Sequence, residues 1–189
     1  VLTEKQIKYG FDYYHKDEKR IKSVVEVSEY DGEDKLIINC TQLDEDYSAK
    51  DKKRILQEWC SFLVEHPDIF TELMFCTRMP QELFDAVCAQ RRLKRLHIKW
   101  GVYPDILKLE NLQELEYLHI GSGRSVSSLE PISRLVNLVA LSIENFQKID
   151  DYAPLANLRH LESLALEGDF AAPKILKVQS LEFLRHMKQ

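Results

Sequence analysis

The sequence has few of the features that mark membrane, fibrous or disordered proteins. No apolar run in its 189 residues approaches the roughly 20 residues that a membrane-spanning helix needs. Glycine and proline number only six each, while 44% of the residues are hydrophobic and 30% are charged, which excludes collagen-like and low-complexity chains. Residues 1–20 carry too many charges for a secretory signal peptide. We therefore expect a soluble, cytoplasmic globular protein with no membrane partner.

The chain also lacks the cysteine and histidine spacings of a zinc site. Its four cysteines, Cys40, Cys60, Cys76 and Cys88, stand 20, 16 and 12 residues apart, and no CxxC pair occurs. Each lies within an apolar stretch, which is typical of a reduced thiol packed in a core. We interpret this pattern as indicating a reducing compartment.

An excess of positive charge is missing as well. The formal net charge is -5, and residues 1–66 hold 15 acidic and 11 basic side chains. Nucleic acid is therefore not expected as the main partner, because phosphate binding draws its affinity from clustered Lys and Arg. No GxSxG, HExxH, GxGxxG or Walker motif is present, and GSGRS (121–125) lacks the Lys-Ser/Thr pair of a phosphate loop. No cofactor is predicted.

A repeated segment is what the sequence does contain. Four stretches share one pattern, LKRLHI (93–98), LEYLHI (115–120), LVALSI (138–143) and LESLAL (161–166). Their middle leucines, Leu96, Leu118, Leu141 and Leu164, are separated by 22, 23 and 23 residues. Further steps of 23 residues reach Leu73 in one direction and Met187 in the other, so six turns are in register.

The LxxLxL core of these segments resembles the leucine-rich repeat family. The stretch IDDYAPLANLRHLESLAL (149–166) is similar to the short, bacterial, internalin-like type of repeat. The resemblance covers about 120 residues and implies an α/β solenoid whose short strands form a parallel sheet on the concave surface. This agrees with elementary packing, because a 23-residue unit cannot bury its own leucines and must stack on its neighbours.

One departure from the family pattern concerns the turn after each strand. Leucine-rich repeats usually carry Asn five residues beyond the middle leucine, where its amide bonds the backbones of adjacent turns. The chain instead has Arg78, Gly101, Gly123, Phe146 and Asp169 at these positions. We therefore expect the ladder between turns to be absent or improvised, in part by Asn145 or the glycines.

The N-terminal third differs from the repeats, which divides the chain into an α/β cap over residues 1–66 and a solenoid over residues 67–189. The Asp31-Gly32 pair lies between two β-rich runs and predicts a hairpin over about 22–40. Such a cap would cover the open end of the solenoid core.

Helices are expected in the first turns of the solenoid. Ser48 followed by Asp51 is similar to a capping box, and apolar residues at helical spacing then predict a helix over about 49–65. Pro80 opens a second predicted helix over about 80–91.

Period-two alternation predicts which side chains face outward from the concave sheet. These are the residues one before, one after and three after each middle leucine, and with Trp100 they form a group that is basic and aromatic on one side and acidic on the other. The candidate partner-binding residues are Arg95, His97, Lys99, Trp100, Tyr117, His119, Glu144 and Glu167. Ordinary solvation of a strand face explains these residues too. The alternative is a surface that recognises another protein.

His97 and His119 should lie side by side, but no carboxylate or cysteine at ligand spacing completes a metal site. The regular scaffold without a catalytic constellation favours a non-catalytic protein-recognition module. Its partner is unidentified, and the sequence does not choose between an inhibitor or immunity protein that masks a toxin, an adaptor, and the sensing part of a larger protein.

Two other functions are consistent with the sequence. The first is a small enzyme in the N-terminal part, where the polar residues Tyr13, Tyr14, His15, Cys40 and Asp44 to Asp46 stand without a recognisable spacing. The second is self-association through the C-terminal edge near Leu184 and Met187.

Overall fold

The computed structural model describes residues 21–169 and 175–187, together with Glu4. Within these residues it contains nine strands and three α-helices. They are β1 (Ser23–Val24), β2 (Lys35–Ile38), α1 (Ala49–Glu65), β3 (Glu72–Phe75), β4 (Met79–Pro80), α2 (Gln81–Val87), β5 (Arg95–Ile98), β6 (Gly101–Val102), β7 (Tyr117–Ile120), α3 (Glu130–Ser133), β8 (Ala140–Glu144) and β9 (Ser163–Glu167). None of these helices is both long enough and apolar enough to cross a lipid bilayer.

Seven strands form one parallel sheet in the order β1-β2-β3-β5-β7-β8-β9, while β4 and β6 form a short parallel pair. The middle leucines of the repeat lie opposite one another across the sheet, in the order Leu36, Leu73, Leu96, Leu118, Leu141 and Leu164. All but the last are fully buried, and Leu164 packs against the same core. The predicted α/β solenoid with a parallel sheet is thus confirmed.

Behind the sheet, short helical turns return the chain from one strand to the next. Besides α3, these are the 3-10 helices Leu107–Asn111, Ala153–Asn157 and Glu182–His186. Each faces the leucines with an apolar residue, so one continuous core extends from the first strand to the last described turn. Phe183 of that turn is buried and stacks on Tyr152 of the preceding turn, with ring centroids 6.3 Å apart.

Helix α1 spans the range that its capping and periodicity predict. The Ser48 hydroxyl accepts a hydrogen bond from the Asp51 amide at 3.1 Å, which satisfies one of the free N–H groups of the first turn. Ile55, Trp59 and Leu63 recur every four residues and are fully buried against the sheet.

We expect Ser48→Ala to lower the free energy of unfolding by about 1 kcal/mol, because the Asp51 amide loses its acceptor. Equilibrium denaturation with urea measures this change. Ser61→Ala is the matched control, since Ser61 lies exposed within the same helix and should change stability by less than about 0.5 kcal/mol. Equal effects of the two substitutions would contradict the capping role.

The predicted hairpin over about 22–40 is wrong, because β1 pairs with β2 in parallel, with Ser23 opposite Ile37. A 3-10 turn at Val27–Glu29 redirects the chain, and the Glu29 carboxylate fixes this turn by accepting the Glu26 amide at 2.8 Å. Gly32 does adopt the left-handed conformation of a turn residue (φ 94°), but its turn belongs to a crossover connection. The sheet continues from β2 to β3 across the boundary between residues 66 and 67.

Helix α2 is shorter than the predicted range of about 80–91, because the amides after it bond three residues back instead of four, as the Gln90 amide does to the Val87 carbonyl oxygen at 3.0 Å. Gln90 then contacts the end of α1. Its side chain is fully buried, and its amide N–H groups donate to the carbonyl oxygens of Leu63 (2.6 Å) and His66 (2.9 Å). Its Oε1 accepts from the Phe70 amide at 3.3 Å. The Gln90 side chain therefore satisfies two carbonyl groups at the end of α1.

Candidate functional site

The outward-facing side chains of the sheet, called here the sheet face, form rows that cross the strands. The first row, one residue before each middle leucine, is Lys35, Glu72, Arg95, Tyr117, Ala140 and Ser163. The second row, one residue after it, is Ile37, Met74, His97, His119, Ser142 and Ala165. Neighbours within a row are adjacent because parallel strands lie about 4.8 Å apart. The register agrees with the predicted alternation.

The middle of the first row, from Glu72 to Ala140, is buried, and the expected solvent exposure of Arg95 and Tyr117 is therefore wrong. Arg95 is 6% exposed, Tyr117 2% and Glu72 7%. The Arg95 Nε lies 3.1 Å from the Glu72 carboxylate, and the guanidinium carbon lies 4.0 Å from the centre of the Tyr117 ring. Charge pairing and cation-π stacking between adjacent strands hold these side chains flat against the sheet. Their role in partner binding stays a prediction, and their burial favours a structural role.

The second row brings His97 and His119 together, as the sequence predicts. Their rings stack with centroids 4.3 Å apart and an interplanar angle of 13°, and both side chains are half-buried. The His119 Nδ1 lies 2.9 Å from the hydroxyl of Ser142 on the next strand. In the described parts of the chain, no three His, Cys, Asp or Glu side chains are gathered as a metal ion would require.

The third row lies at the ends of the strands and carries opposite charges on its two sides. Lys99 after β5 is exposed, and the neighbouring Trp100 is half-buried. On the other side Glu144 is half-buried and Glu167 is exposed. Between them Gly121 has no side chain, and a Glu144 carboxylate oxygen lies 3.1 Å from the place that a β-carbon of Gly121 would occupy. The Glu144 side chain therefore leans toward the chain at the end of β7.

The turns after the strands replace the usual Asn ladder with several different contacts. Asn145 adopts a left-handed conformation (φ 60°), and its amide donates to the Asp169 carboxylate at 2.9 Å. The amide of Gly123 donates to the Glu144 carbonyl oxygen at 2.9 Å. The Tyr103 hydroxyl donates to the Gly121 carbonyl oxygen, and burial together with the nearby Glu144 raises the pKa of this phenol. As predicted, other contacts, among them those of Asn145 and the glycines, stand in for the regular Asn ladder between turns.

The polar residues that suggest an N-terminal enzyme are not assembled into a site by the described structure. Burial and the nearby Cys60 raise the pKa of Cys40 to about 12, and burial raises the pKa of Cys60 to about 11. Both thiols therefore stay protonated at neutral pH and are poor nucleophiles. Asp44, Glu45 and Asp46 are exposed loop residues. Tyr13, Tyr14 and His15 lie outside the described residues.

At the C-terminal edge, Leu184 is 41% exposed and Met187 is half-buried against the core. Self-association through these residues stays a prediction.

Comparison with known proteins supports the fold. No protein-family model matches the chain, and no curated protein has a similar sequence. The crystal structure of internalin C2 from Listeria monocytogenes is similar over 82% of this chain and 67% of its own, with 18% identity and a TM-score of 0.53. An internalin, InlF, of the same organism matches over 82% of this chain and 45% of its own, with 13% identity and a TM-score of 0.44. With the stacked leucines, the first likeness shows that the chain has the leucine-rich repeat fold.

Proposed function

We propose, from its leucine-rich repeat fold, that the chain is a non-catalytic module that recognises another protein through the sheet face. The observation that carries this proposal is the stacked pair of His97 and His119 on adjacent strands, with the exposed Lys99 and the half-buried Trp100 directly after the first of these strands. The two histidines stand on a hydrogen-bonded sheet, so a partner meets a surface that is already ordered.

The composition of this surface favours recognition over simple solvation. A solvated strand face needs only short polar side chains, whereas aromatic rings beside a cation are typical of the residues that dominate binding energy in protein interfaces. Lys99 is exposed and Trp100 is only half-buried, so each retains surface for a partner.

The charges of the third row indicate what the partner surface should present. An acidic group would complement Lys99, and a basic group would complement Glu144 and Glu167. Because the two charges lie on opposite sides of Gly121, they would orient the partner as well as attract it.

The free cysteines support a reducing location such as the cytoplasm, since Cys40 and Cys88 are buried as thiols. Masking of a toxin, as by an immunity protein, and scaffolding, as by an adaptor, are two specific forms of this function. Both need the same surface, and they differ only in the identity of the partner.

We expect the double substitution Lys99→Glu with Trp100→Ala to reduce capture of the native partner at least about tenfold, because both a charge and an aromatic contact are lost. Affinity capture from cells of the source organism, quantified by mass spectrometry against the unsubstituted chain, measures the effect. The matched control is Val136→Ala with Arg159→Glu, two exposed residues that lie together outside the sheet face.

Circular dichroism and thermal unfolding show whether each variant keeps its fold. A partner captured equally by the folded sheet-face variant and by the control would overturn the proposal. A partner lost only from the control would place the binding surface away from the sheet face.

A further inference from the structure

Helix α1 carries most of its charges against its own dipole. Lys50, Lys53 and Arg54 lie in its N-terminal half, whereas Glu58 and Glu65 lie in its C-terminal half, and no basic residue is present in its last turn. The aligned peptide dipoles favour the opposite arrangement, with acidic residues first and basic residues last. Apart from Asp51 in the first turn, the charges of α1 depart from this preference, and such departures are expected at functional surfaces.

These charged residues face away from the core. Because Ile55, Trp59 and Leu63 are buried, the opposite side of α1 is directed outward, where it borders a groove of about 780 Å³. The groove is lined by Val27 and Ser28 and by the α1 residues Lys50, Lys53, Arg54, Gln57, Glu58, Ser61, Phe62 and Glu65. Since α1 packs on the leucine side of the sheet, this groove lies on the side of the molecule opposite the sheet face.

The charges at the two ends of this helix face remain available. Arg54 and Glu58 pair with each other at 2.9 Å within the helix. Lys50, Lys53 and Glu65 are exposed and form no ion pair within the described parts of the chain.

The α1 residues that line the groove are symmetric about the midpoint between Gln57 and Glu58. Reversing the helix about that point exchanges Lys50 with Glu65, Lys53 with Phe62, Arg54 with Ser61, and Gln57 with Glu58. A second α1 placed antiparallel would therefore set Lys50 against Glu65 at both ends of the contact.

We propose that this face of α1 binds a second copy of the chain, with the two helices antiparallel about a two-fold axis. The contact is isologous, because each copy offers the same surface to the other. It contains little apolar area beyond Val27 and Phe62, so we expect weak association with a dissociation constant on the order of 100 µM. High salt should weaken it, since exposed ion pairs are screened.

Charge reversal tests this arrangement. Sedimentation equilibrium from about 10 µM to about 1 mM should show dimers of the unsubstituted chain at low salt. Lys50→Glu and Glu65→Lys, each alone, should weaken association at least about tenfold, because two attractive contacts become repulsive. The double variant Lys50→Glu with Glu65→Lys should associate again, since each acidic residue then faces a basic one.

Thermal unfolding separates this effect from loss of the fold. Both single substitutions bring α1 into agreement with its dipole, so neither should lower the melting temperature. Arg159→Glu is the control for net charge and should leave association unchanged.

A chain that stays monomeric at about 1 mM in low salt overturns the proposal. So does a double variant that fails to regain association. If dimers form equally in all three charge variants but not in Leu184→Lys, the contact lies at the C-terminal edge and the proposal is wrong.

Discussion

Gly121→Ala should lower the free energy of unfolding by at least about 3 kcal/mol, at the upper end of what overpacking causes. A β-carbon at this position would lie 1.8 Å from the Lys99 carbonyl oxygen and 2.7 Å from its carbonyl carbon. Both are backbone atoms of the neighbouring turn, so no rotamer change relieves the clash. The two neighbouring strands must therefore move apart at the point where the Gly121 amide donates to the Ile98 carbonyl oxygen at 2.8 Å.

Urea denaturation of Gly121→Ala beside Gly32→Ala measures the effect of this close approach. Gly32 has a left-handed conformation (φ 94°) but no atom within 4 Å of an added β-carbon. Its substitution should lower stability by only about 1 kcal/mol, through backbone strain alone. If the two substitutions destabilise the protein equally, close backbone contact at Gly121 is not the constraint.

Arg95→Met should lower the free energy of unfolding by about 3 kcal/mol, because it removes one member of a buried ion pair. The Glu72 carboxylate, which is almost fully buried, loses the guanidinium at 3.1 Å, and Tyr117 loses the cation above its ring. Replacing both charges, as in Glu72→Leu with Arg95→Met, should recover most of this loss, since no buried charge then remains at either position.

A double-mutant cycle by urea denaturation measures the coupling between Glu72 and Arg95. Strictly additive effects would contradict a direct ion pair. Lys35→Met is a useful comparison, since Lys35 is 51% exposed and lies 3.5 Å from the same carboxylate. We expect this substitution to change stability by less than about 1 kcal/mol.

The burial of Arg95 and Tyr117 also determines which substitutions can report on binding. Arg95 and Tyr117 look like interface residues in the sequence, yet changing them would disturb the sheet itself. Lys99 and Trp100, which follow β5, are better probes, because neither is buried.

The sequence predicted the position of the candidate site more accurately than its exposure. Alternation about the middle leucines placed His97 beside His119, and the pairing register agrees. Alternation assigns each side chain to a face of the sheet. It carries no information about whether neighbours on that face bury one another, as Arg95 and Tyr117 do.

The first strands show a second limit of sequence reasoning. The turn at Gly32 was located correctly, but a turn does not determine the direction in which the next strand pairs. The compact turn stabilised by Glu29 depends on a side chain folding back onto the backbone amides of Val25 and Glu26, which no periodicity indicates. The role of Gln90 at the end of α1 was missed for the same reason.

By itself, the sequence determined the solenoid and the stacking of its leucines, because a unit of 23 residues can bury its apolar side only against its neighbours. The capping and apolar spacing of α1 were likewise local and readable. Only the tertiary structure decided that β1 runs parallel to β2, that Arg95 and Tyr117 are buried, and that the charges of α1 border an open groove. These features depend on contacts between residues distant in the chain, whose energies no local pattern records.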